Sequence, residues 1–274
     1  MLAMLPEEGM TLGSPTLSVS VISFNEESNI ERCLEAVRDI ATEIIVVDSM
    51  STDRTAEIAK ACGARVFIEQ WKGHVAQKNS AFEKCTCEWI LALDCDEVVS
   101  PELKRSIVCT IERGECTGYQ VNRKTIYLGK WINHAWYPDW NLRLIRRNSG
   151  SWTGLDPHDS LVTAGKVGRL TGDLYHFSFQ DFQDCLQRTV RYAVSASQSY
   201  QRDGRRVRFH NLLINPLHGF IKHYFVKKGF LDGLPGFVIS VMSAITIFMK
   251  YVLLWERQHV DKTQEAALGN GKEP

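Results

Sequence analysis

Two carboxylates separated by one residue follow directly on an apolar run in the segment LALDCDEVVS. Asp94 ends the run and Asp96 lies two positions later. Where a strand gives way to a loop, carboxylates at this spacing can converge on one hard cation. Mg²⁺ and Mn²⁺ prefer oxygen ligands, and Mg²⁺ commonly takes one or two carboxylates together with water and phosphate oxygens. Acidic pairs also occur in solvated turns, so the pattern indicates a metal site only together with its neighbours.

Further chemically capable residues follow the two earlier apolar runs of the chain. Phe24 and Glu26 come after the first run, and Asp48 ends the second, IIVVD. A carboxylate there can accept hydrogen bonds from a base or a ribose, and an aromatic ring beside it can stack. For Ser51 and Asp53, capping of the next helix is an equally good interpretation. Asp48 ends a strand rather than opening a helix, so we interpret it as functional.

Glycine loops that cradle phosphate are absent from the sequence. Neither G-x-G-x-x-G nor G-x-x-x-x-G-K-[ST] occurs, which counts against dehydrogenases and P-loop kinases. A phosphate ligand would therefore be held by metal and side chains.

The elements that must position these residues alternate in type from residue 17 to residue 94. Apolar runs of strand length lie at 17–24, 44–48, 65–69 and 89–94, and helical patterns lie between them. A capping box of Ser28 and Glu31 predicts the start of the first helix. This alternation predicts an α/β fold with a mostly parallel sheet flanked by helices, whose ligands bind at the carboxyl ends of the strands.

The second half of the chain has a different character. After a helix that Ser100 caps, residues 117–177 are rich in aromatics and in short alternating runs, which predict a smaller antiparallel region. A long helix follows as far as Gly204, capped by Ser178 with Asp181.

Charge is distributed unevenly along this chain of 274 residues, although its formal net charge is zero. Residues 1–137 contain 14 basic and 20 acidic side chains, whereas residues 138–274 contain 18 basic and 12 acidic ones. The balanced total and the acidic first half exclude a dominant nucleic-acid footprint. The first ten residues lack the pattern of a signal peptide, so we expect the eight cysteines to be free thiols in a reducing compartment.

The C-terminal region combines basic and apolar stretches. Residues 202–228 carry seven basic side chains against one acid, and the 19 residues from Phe237 to Trp255 contain one charge, Lys250. A basic stretch beside an apolar helix is typical of contact with anionic lipid. We expect membrane association, by a helix that either spans the bilayer or lies at its interface. A buried core helix is the alternative.

Taken together, these motifs resemble those of a known enzyme family. The segments that match the nucleotide-sugar-binding half of family 2 inverting glycosyltransferases, with their GT-A fold, are SVISFNEE, IIVVDSMSTDRT, GHVAQKNSAF and WILALDCDEVVSPEL. The segments similar to bacterial lipopolysaccharide-core and related cell-envelope glycosyltransferases are WYPDWNLRLIRR, PHDS and LYHFSF. The resemblance covers about residues 17–255. It implies a UDP-sugar or another nucleotide-diphosphate sugar as donor, a divalent metal (Mg²⁺ or Mn²⁺) and inversion at the anomeric carbon.

The resemblance also implies roles on the donor side. Phe24 and Glu26 would line the base pocket, and Asp48 would hold the base or the ribose. Lys78 would approach the ribose or the diphosphate. Asp94 would contact the ribose and the metal shell.

The implied metal ligands are Asp96, which would bind the ion directly, Asp94 and His176. GT-A enzymes often supply a late histidine to the metal or to the diphosphate. A histidine satisfied within the core is an equally good interpretation of His176.

On the acceptor side, an inverting displacement needs a base that takes the proton of the attacking hydroxyl. Asp159 is the first choice, although the related sequences more often carry Glu after the histidine that corresponds to His158. Asp139 is the rival, and its alternative role is a loop carboxylate paired with Arg143 or Arg146.

Further acceptor or phosphate contacts are predicted for His158 and Arg143. Trp136 and Trp140 belong to a dense group of aromatics that either stack on the acceptor sugar or fill the core.

The leading hypothesis is a metal-dependent inverting glycosyltransferase at the cytoplasmic face of the bacterial inner membrane, with a lipopolysaccharide-core or lipid-linked glycan acceptor. A polyprenyl-phosphate glycosyltransferase and a non-catalytic sugar-nucleotide-binding protein are the alternatives. The predicted division of the chain is a flexible N-terminus (1–16), a nucleotide-sugar half (17–115), an acceptor half (116–178), a helical membrane-associated region (179–258) and a flexible tail (259–274).

Overall fold

The computed structural model describes residues 15–155, 158–179 and 181–269. Within these ranges, only the backbone is described for Leu155, His158 and residues 260–269. The strands are β1 (Leu17–Ser23), β2 (Glu43–Asp48), β3 (Arg65–Ile68), β4 (Trp89–Asp94), β5 (Glu97–Val99), β6 (Gly118–Tyr127), β7 (Lys130–Trp131), β8 (Trp140–Arg146), β9 (Gly150–Leu155), β10 (His158–Thr163) and β11 (Val167–His176). The helices are α1 (Ile30–Glu35), α2 (Thr55–Ala61), α3 (His74–Glu83), α4 (Pro101–Arg113), α5 (Phe182–Arg202), α6 (Phe209–Ile221) and α7 (Leu234–Gly269).

One large sheet organises the chain, with strand order β3-β2-β1-β4-β8-β6-β11-β5. The first four strands in this order are parallel, and β8 joins β4 and β6 by antiparallel pairing. A separate antiparallel pair is formed by β9 and β10. The predicted fold class is confirmed: an α/β sheet flanked by helices, a smaller antiparallel region and a helical C-terminal region.

The central strands are buried on both faces, as their continuous apolar runs indicate. Trp89, Leu91 and Leu93 of β4 belong to the core that also contains α1 and α4, whereas Ile90 packs on the opposite side with Trp152. Burial on both faces explains why these strands are nearly uniformly apolar rather than alternating. All eight cysteines are free thiols, as predicted.

Two predicted helix caps are wrong and one is confirmed. At α1 the N-cap is Asn29, and the Ser28–Glu31 capping box does not form because the chain between β1 and the helix is held in turns. At α5 the N-cap is Asp181, which accepts a hydrogen bond from the N–H of Asp184, while Ser178 still lies before the helix. Ser100 caps α4 as predicted.

Three long helices form the C-terminal region. The sequence between α6 and α7 forms a π-helical turn, Lys222–Val226, and a 3₁₀ turn, Gly229–Asp232. Asp232 ties this region to the β7–β8 loop, since its buried carboxylate accepts hydrogen bonds from the N–H groups of Asn133, His134 and Ala135 at 2.9, 3.1 and 2.9 Å. The segment Leu234–His259 of α7 is long and apolar enough to cross a membrane, and an 18-residue window within it has a mean hydropathy of 2.1.

Candidate active site

Parallel pairing sets the ends of β1, β2 and β4 side by side. Ser23 lies opposite Asp48, and Ile22 lies opposite Asp94. Asp48 is buried, and its carboxylate accepts hydrogen bonds from Ser23 Oγ and from the Ser51 N–H, each at 2.8 Å. The sheet therefore brings both strand-end carboxylates to one edge, and Ser51 serves Asp48 directly.

The loops after β1 and β2 are fastened to each other at this edge. The Asn25 N–H donates to Ser51 Oγ at 2.9 Å, and the Glu26 N–H donates to Thr55 Oγ1 at 2.7 Å. Phe24 precedes these contacts, and its side chain is 57% exposed. An exposed ring on a braced loop can stack on a planar ligand.

Asp94 is held by two cations. Its Oδ1 lies 3.0 Å from Lys78 Nζ, and its Oδ2 accepts a hydrogen bond from Arg143 Nη2 at 2.7 Å. Arg143 also donates to Glu97 Oε1 at 2.6 Å, and Lys78 also donates to Asp159 Oδ2 at 2.8 Å. One carboxylate of the D-x-D pair is thus a member of a cross-linked ion-pair network.

These contacts determine the charge states within the network. Burial raises the pKa of the Asp94 carboxyl, but Arg143 and Lys78 outweigh burial and hold that pKa well below its usual range. Burial lowers the pKa of the Lys78 ammonium, but Asp94 and Asp159 outweigh it and leave the pKa raised. Asp94 and Lys78 are therefore charged at neutral pH, and each has an opposite charge beside it.

The same network reaches both predicted catalytic bases. From Glu97 it continues to Arg123, whose Nη1 lies 3.7 Å from Glu97 Oε1. Arg123 in turn pairs with Asp139 Oδ2 at 2.9 Å. Asp159 and Asp139 therefore occupy the two ends of one chain of charges that passes through Asp94. The predicted structural partners of Asp139 were Arg143 or Arg146, whereas the observed partner is Arg123.

Asp96 lies in a different environment, beside His176 at the end of β11. Its Oδ2 is 3.4 Å from His176 Nε2, while His176 Nδ1 is 3.2 Å from Thr125 Oγ1. Burial raises the pKa of the Asp96 carboxyl, but the contact with His176 outweighs burial, so the net pKa lies below the usual value. Asp96 directly precedes β5, and the antiparallel pairing of β5 with β11 sets Glu97 opposite His176, so the sheet brings together two residues that are far apart in the sequence.

The Asp96–His176 pair fits a divalent ion. Two ligands at right angles, each bound at about 2.1 Å, lie about 3 Å apart, close to the observed 3.4 Å. Among the described residues no group of three or more His, Cys, Asp or Glu side chains is placed to hold an ion. Phosphate and water would thus complete the shell, as Mg²⁺ sites commonly do. Both oxygens of Asp94 already face cations.

Asp96 lines a cavity with a volume of about 580 Å³. Its lining residues are Asn25, Glu26, Ser28, Asn29, Asp96, Phe177, Ser178, Phe179 and Arg188. Burial is the main cause of a raised pKa at Glu26, although a hydrogen bond from Asn29 opposes it. Arg188 comes from α5, where its Nε donates to Asp184. It was not predicted, and its one sequence signal is the Asp184–Arg188 spacing of four.

A second cavity of about 280 Å³ has His176 in its lining. Its lining residues are Arg123, Thr125, Trp136, Pro138, Asp139, His176, Ser178, Phe179, Tyr192 and Lys227. Trp136 stacks on Phe179 with ring centroids 5.7 Å apart. Trp140 is in neither lining; the guanidinium of Arg169 covers its ring at 4.6 Å. The predicted contact of His158 concerns a side chain outside the described residues.

Comparisons with known proteins agree with this geometry. A glycosyltransferase of Rickettsia typhi is 30% identical over 253 residues, which cover 88% of this chain and 87% of the relative. The lipopolysaccharide core biosynthesis glycosyltransferase LpsC of Rhizobium meliloti is 29% identical over 254 residues, covering 88% and 92%.

Solved structures show weaker likeness. TarS of S. aureus is 15% identical and covers 89% of this chain and 92% of its own, with a TM-score of 0.48. Glucosyl-3-phosphoglycerate synthase of Mycobacterium tuberculosis, crystallised with Mn²⁺, UDP and glucosyl-3-phosphoglycerate, is 26% identical and covers 42% and 45%, with a TM-score of 0.35. The family model for glycosyl transferase family 2 matches residues 18–165, more than half of the chain. The chain is therefore a glycosyltransferase that belongs to family 2.

Proposed function

We propose that the protein is a metal-dependent inverting glycosyltransferase whose donor is a nucleotide-diphosphate sugar, first of all a UDP-sugar. The observation that carries this proposal is the Asp96–His176 pair, whose carboxylate lines the cavity of about 580 Å³ and whose imidazole lines the cavity of about 280 Å³. Pockets that bind small molecules and cofactors commonly have volumes of about 300–1,000 Å³. Asp96 faces the His176 imidazole and the cavity, whereas both oxygens of Asp94 lie against the cations Lys78 and Arg143, so Asp96 is the carboxylate placed to take a metal ion.

The donor would lie along the edge formed by β1, β2 and β4. Asp48 would hold the nucleobase or the ribose. Phe24 and Glu26, on the braced loop after β1, would line the pocket for the nucleobase. Asp96 and His176 would hold Mg²⁺ or Mn²⁺, which, when bound, neutralises charge on the departing diphosphate. The Arg188 guanidinium lines the same cavity and supplies a second positive charge toward the diphosphate.

In the transfer step, the oxygen of the acceptor hydroxyl attacks C1 of the donor sugar, and the C1–O bond to the diphosphate breaks. A carboxylate accepts the proton of that hydroxyl. Asp159 is the base in this proposal. Lys78 contacts both Asp159 and Asp94, so it holds the base at a fixed distance from the donor edge. Asp139, at the opening of the smaller cavity, is the alternative base.

The acceptor in this proposal is a lipopolysaccharide-core or lipid-linked glycan at the cytoplasmic face of the inner membrane. Similarity to LpsC over 88% of the chain supports the lipopolysaccharide class. Residues 17–115 would then form the donor half, residues 116–178 the acceptor half, and residues 179–258 the membrane-associated region.

A second candidate function follows from the pairing of both bases with cations. Asp159 is already paired with Lys78 and Asp139 with Arg123, so each candidate base shares its carboxylate with a cation. An acceptor that is already an anion, such as a polyprenyl phosphate, needs no proton acceptor. Transfer to such a phosphate is therefore the alternative, and it predicts that Asp159→Asn keeps nearly full activity.

The test is a screen of nucleotide-diphosphate sugars for hydrolysis by the purified full chain with Mn²⁺, with Mg²⁺ and with a chelator. We expect metal-dependent release of nucleoside diphosphate from at least one donor, and its loss in Asp96→Asn. Asp39→Asn, a surface carboxylate paired with Lys104, is the matched control and should behave as the wild type. Binding without turnover would indicate the non-catalytic alternative, and no metal-dependent binding of any donor would contradict the proposal.

A further inference from the structure

Helix α6 presents an apolar face to the outside of the molecule. Phe209, Leu213, Leu217 and Ile221 follow one another at intervals of four residues, and their exposure lies between 40% and 77%. On the opposite side, Gly219 packs so closely on α7 that an added Cβ would overlap the Ile247 side chain. The outer face of a helix in a soluble protein is ordinarily polar. The amphipathicity of α6 is reversed with respect to solvent.

The exposed apolar surface continues beyond α6. Phe225, Val226, Phe230 and Leu231 in the turns before α7 are all exposed, and Val226 is 72% exposed. Exposed apolar residues of α7 are Leu234, Phe237, Ile245, Phe248, Val252 and Trp255. We call α6, residues 222–232 and this stripe of α7 the apolar platform. Apolar patches of this extent on a protein surface mark a contact site for a membrane or another protein.

Basic residues precede the platform in the chain and also lie within it. Exposed positive side chains near it are Arg202, Arg205, Arg206, Arg208, Lys222 and Lys228. The acidic side chains of this stretch are Asp203, which lies 3.7 Å from Arg205, and the buried Asp232. Aliphatic and aromatic residues match the acyl chains of a bilayer, and basic residues beside them match its anionic headgroups. A protein partner would have to offer both a large apolar face and many carboxylates.

The packing of α7 decides how it meets the membrane. Ile239 and Met242 near its start are buried with Cys185 of α5 and with Ala135 of the catalytic region. Farther along, Lys250 Nζ lies 3.1 Å from Tyr200 Oη. α5 therefore runs beside α7 for most of the apolar segment.

That neighbour is poorly suited to hydrocarbon. α5 contains Asp184, Arg188 and Arg191, and Arg191 is exposed. If α7 crossed the bilayer, α5 would have to enter it with these charges, which is costly. The catalytic region is joined to the same helices through Asp232 and would be drawn in as well.

We propose that the apolar platform inserts into one leaflet of an anionic bilayer and that α7 does not cross the membrane. The proposal rests on the proposed function only for the membrane as the location of the acceptor. Lys227 follows the exposed Val226 in the chain and lines the smaller cavity together with Asp139. The platform is thus continuous in the chain with the cavity that holds the alternative base.

Flotation with lipid vesicles tests the insertion. The full chain should float with vesicles that contain phosphatidylglycerol and bind at least about tenfold less to phosphatidylcholine vesicles in the same salt. The double variant Leu213→Glu with Leu217→Glu should lower partitioning by about 100-fold, because two apolar side chains no longer insert. Val167→Glu, at an exposed apolar position at the start of β11, is the control and should bind as the wild type. Unchanged binding by the double variant would overturn the proposal.

Topology and assembly complete the test. In inverted membrane vesicles, protease should remove a C-terminal tag and also digest the catalytic region; protection of the tag alone would show that α7 spans. A lipid-free dimer that the double variant converts to a monomer, with no vesicle binding by the wild type, would assign the platform to a second copy and overturn the proposal. Donor hydrolysis without lipid separates the two proposals, since its loss concerns the proposed function alone.

Discussion

Asp94 and Asp96 are two residues apart in one motif, yet their environments differ. Asp94 has an oxygen on each of two cations, Lys78 and Arg143, and belongs to a network that extends to both candidate bases. Asp96 faces a histidine and a cavity. Two carboxylates of one motif thus have different roles: Asp94 organises the site, and Asp96 is available for a ligand. The predictions below separate these two roles.

The largest effect is expected for Asp96→Asn. Loss of a charged metal ligand should lower kcat/KM by about 10³-fold, since the metal supplies several kcal/mol of stabilisation to the departing diphosphate. The free energy of unfolding should stay near that of the wild type, because Arg188, which lines the same cavity, is hydrogen-bonded to Asp184 and keeps that partner. Steady-state kinetics with urea unfolding checks both parts. An active Asp96→Asn enzyme would remove the distinction between the two carboxylates.

Asp94→Asn should act first on stability. It leaves the Arg143 guanidinium, which is 4% exposed, and the Lys78 ammonium without a charged partner at that position. We expect the free energy of unfolding to fall by about 3 kcal/mol, measured by urea unfolding. The exposed control Asp39→Asn should lower it by no more than about 1 kcal/mol. Equal unfolding curves for Asp94→Asn and the wild type would contradict an organising role.

The two ends of the network should differ in activity. Asp159→Asn should lower transfer to a sugar hydroxyl by about 100-fold or more, because the proton acceptor is lost. Asp139→Asn should have a smaller effect. Transfer and donor hydrolysis, measured side by side, distinguish a base from a donor-binding residue. The reverse order of effects would make Asp139 the base.

The smallest effect is expected away from the site, at Glu69. Hydrogen bonds from Lys72, Lys84 and Ser80 lower the pKa of its carboxyl from 4.5 to about 2. A carboxyl whose pKa is depressed on folding stabilises the protein above its unfolded pKa and loses this contribution as pH falls through the folded pKa. Glu69→Gln should therefore lower stability by about 1 kcal/mol at neutral pH and by almost nothing near pH 2.

Urea unfolding over a pH series measures this difference. The activity of Glu69→Gln should equal that of the wild type. A stability loss that grew toward low pH would have the wrong sign for a depressed pKa and would contradict this interpretation.

The sequence predicts well what depends on local order. Apolar runs located β1, β2 and β4, and parallel pairing then places Asp48 and Asp94 at one edge. Helix starts were less predictable, since Ser28 fits a capping box and yet Asn29 caps α1. A local pattern cannot show which of two adjacent polar residues the tertiary turn selects.

Long-range pairings were beyond local patterns. His176 reaches Asp96 because β11 inserts between β6 and β5, and Lys78 joins Asp94 to Asp159 from a helix on the sheet face. Trp140 was expected either beside the acceptor or in the core, and local sequence could not show that the Arg169 guanidinium covers its ring. The apolar face of α6 was also missed, because its apolar spacing is the same for a core helix and for one that faces a membrane.

Isothermal titration calorimetry of UDP binding, with and without Mn²⁺, tests most directly whether Asp96 and His176 hold the metal ion. For the wild type and Asp39→Asn, we expect Mn²⁺ to tighten UDP binding by at least about tenfold. In Asp96→Asn and His176→Ala this gain should disappear, while the weak metal-free binding persists. Equal UDP binding with and without Mn²⁺ in the wild type, or a full Mn²⁺ effect in Asp96→Asn, would contradict the assignment of Asp96 and His176 as the metal ligands.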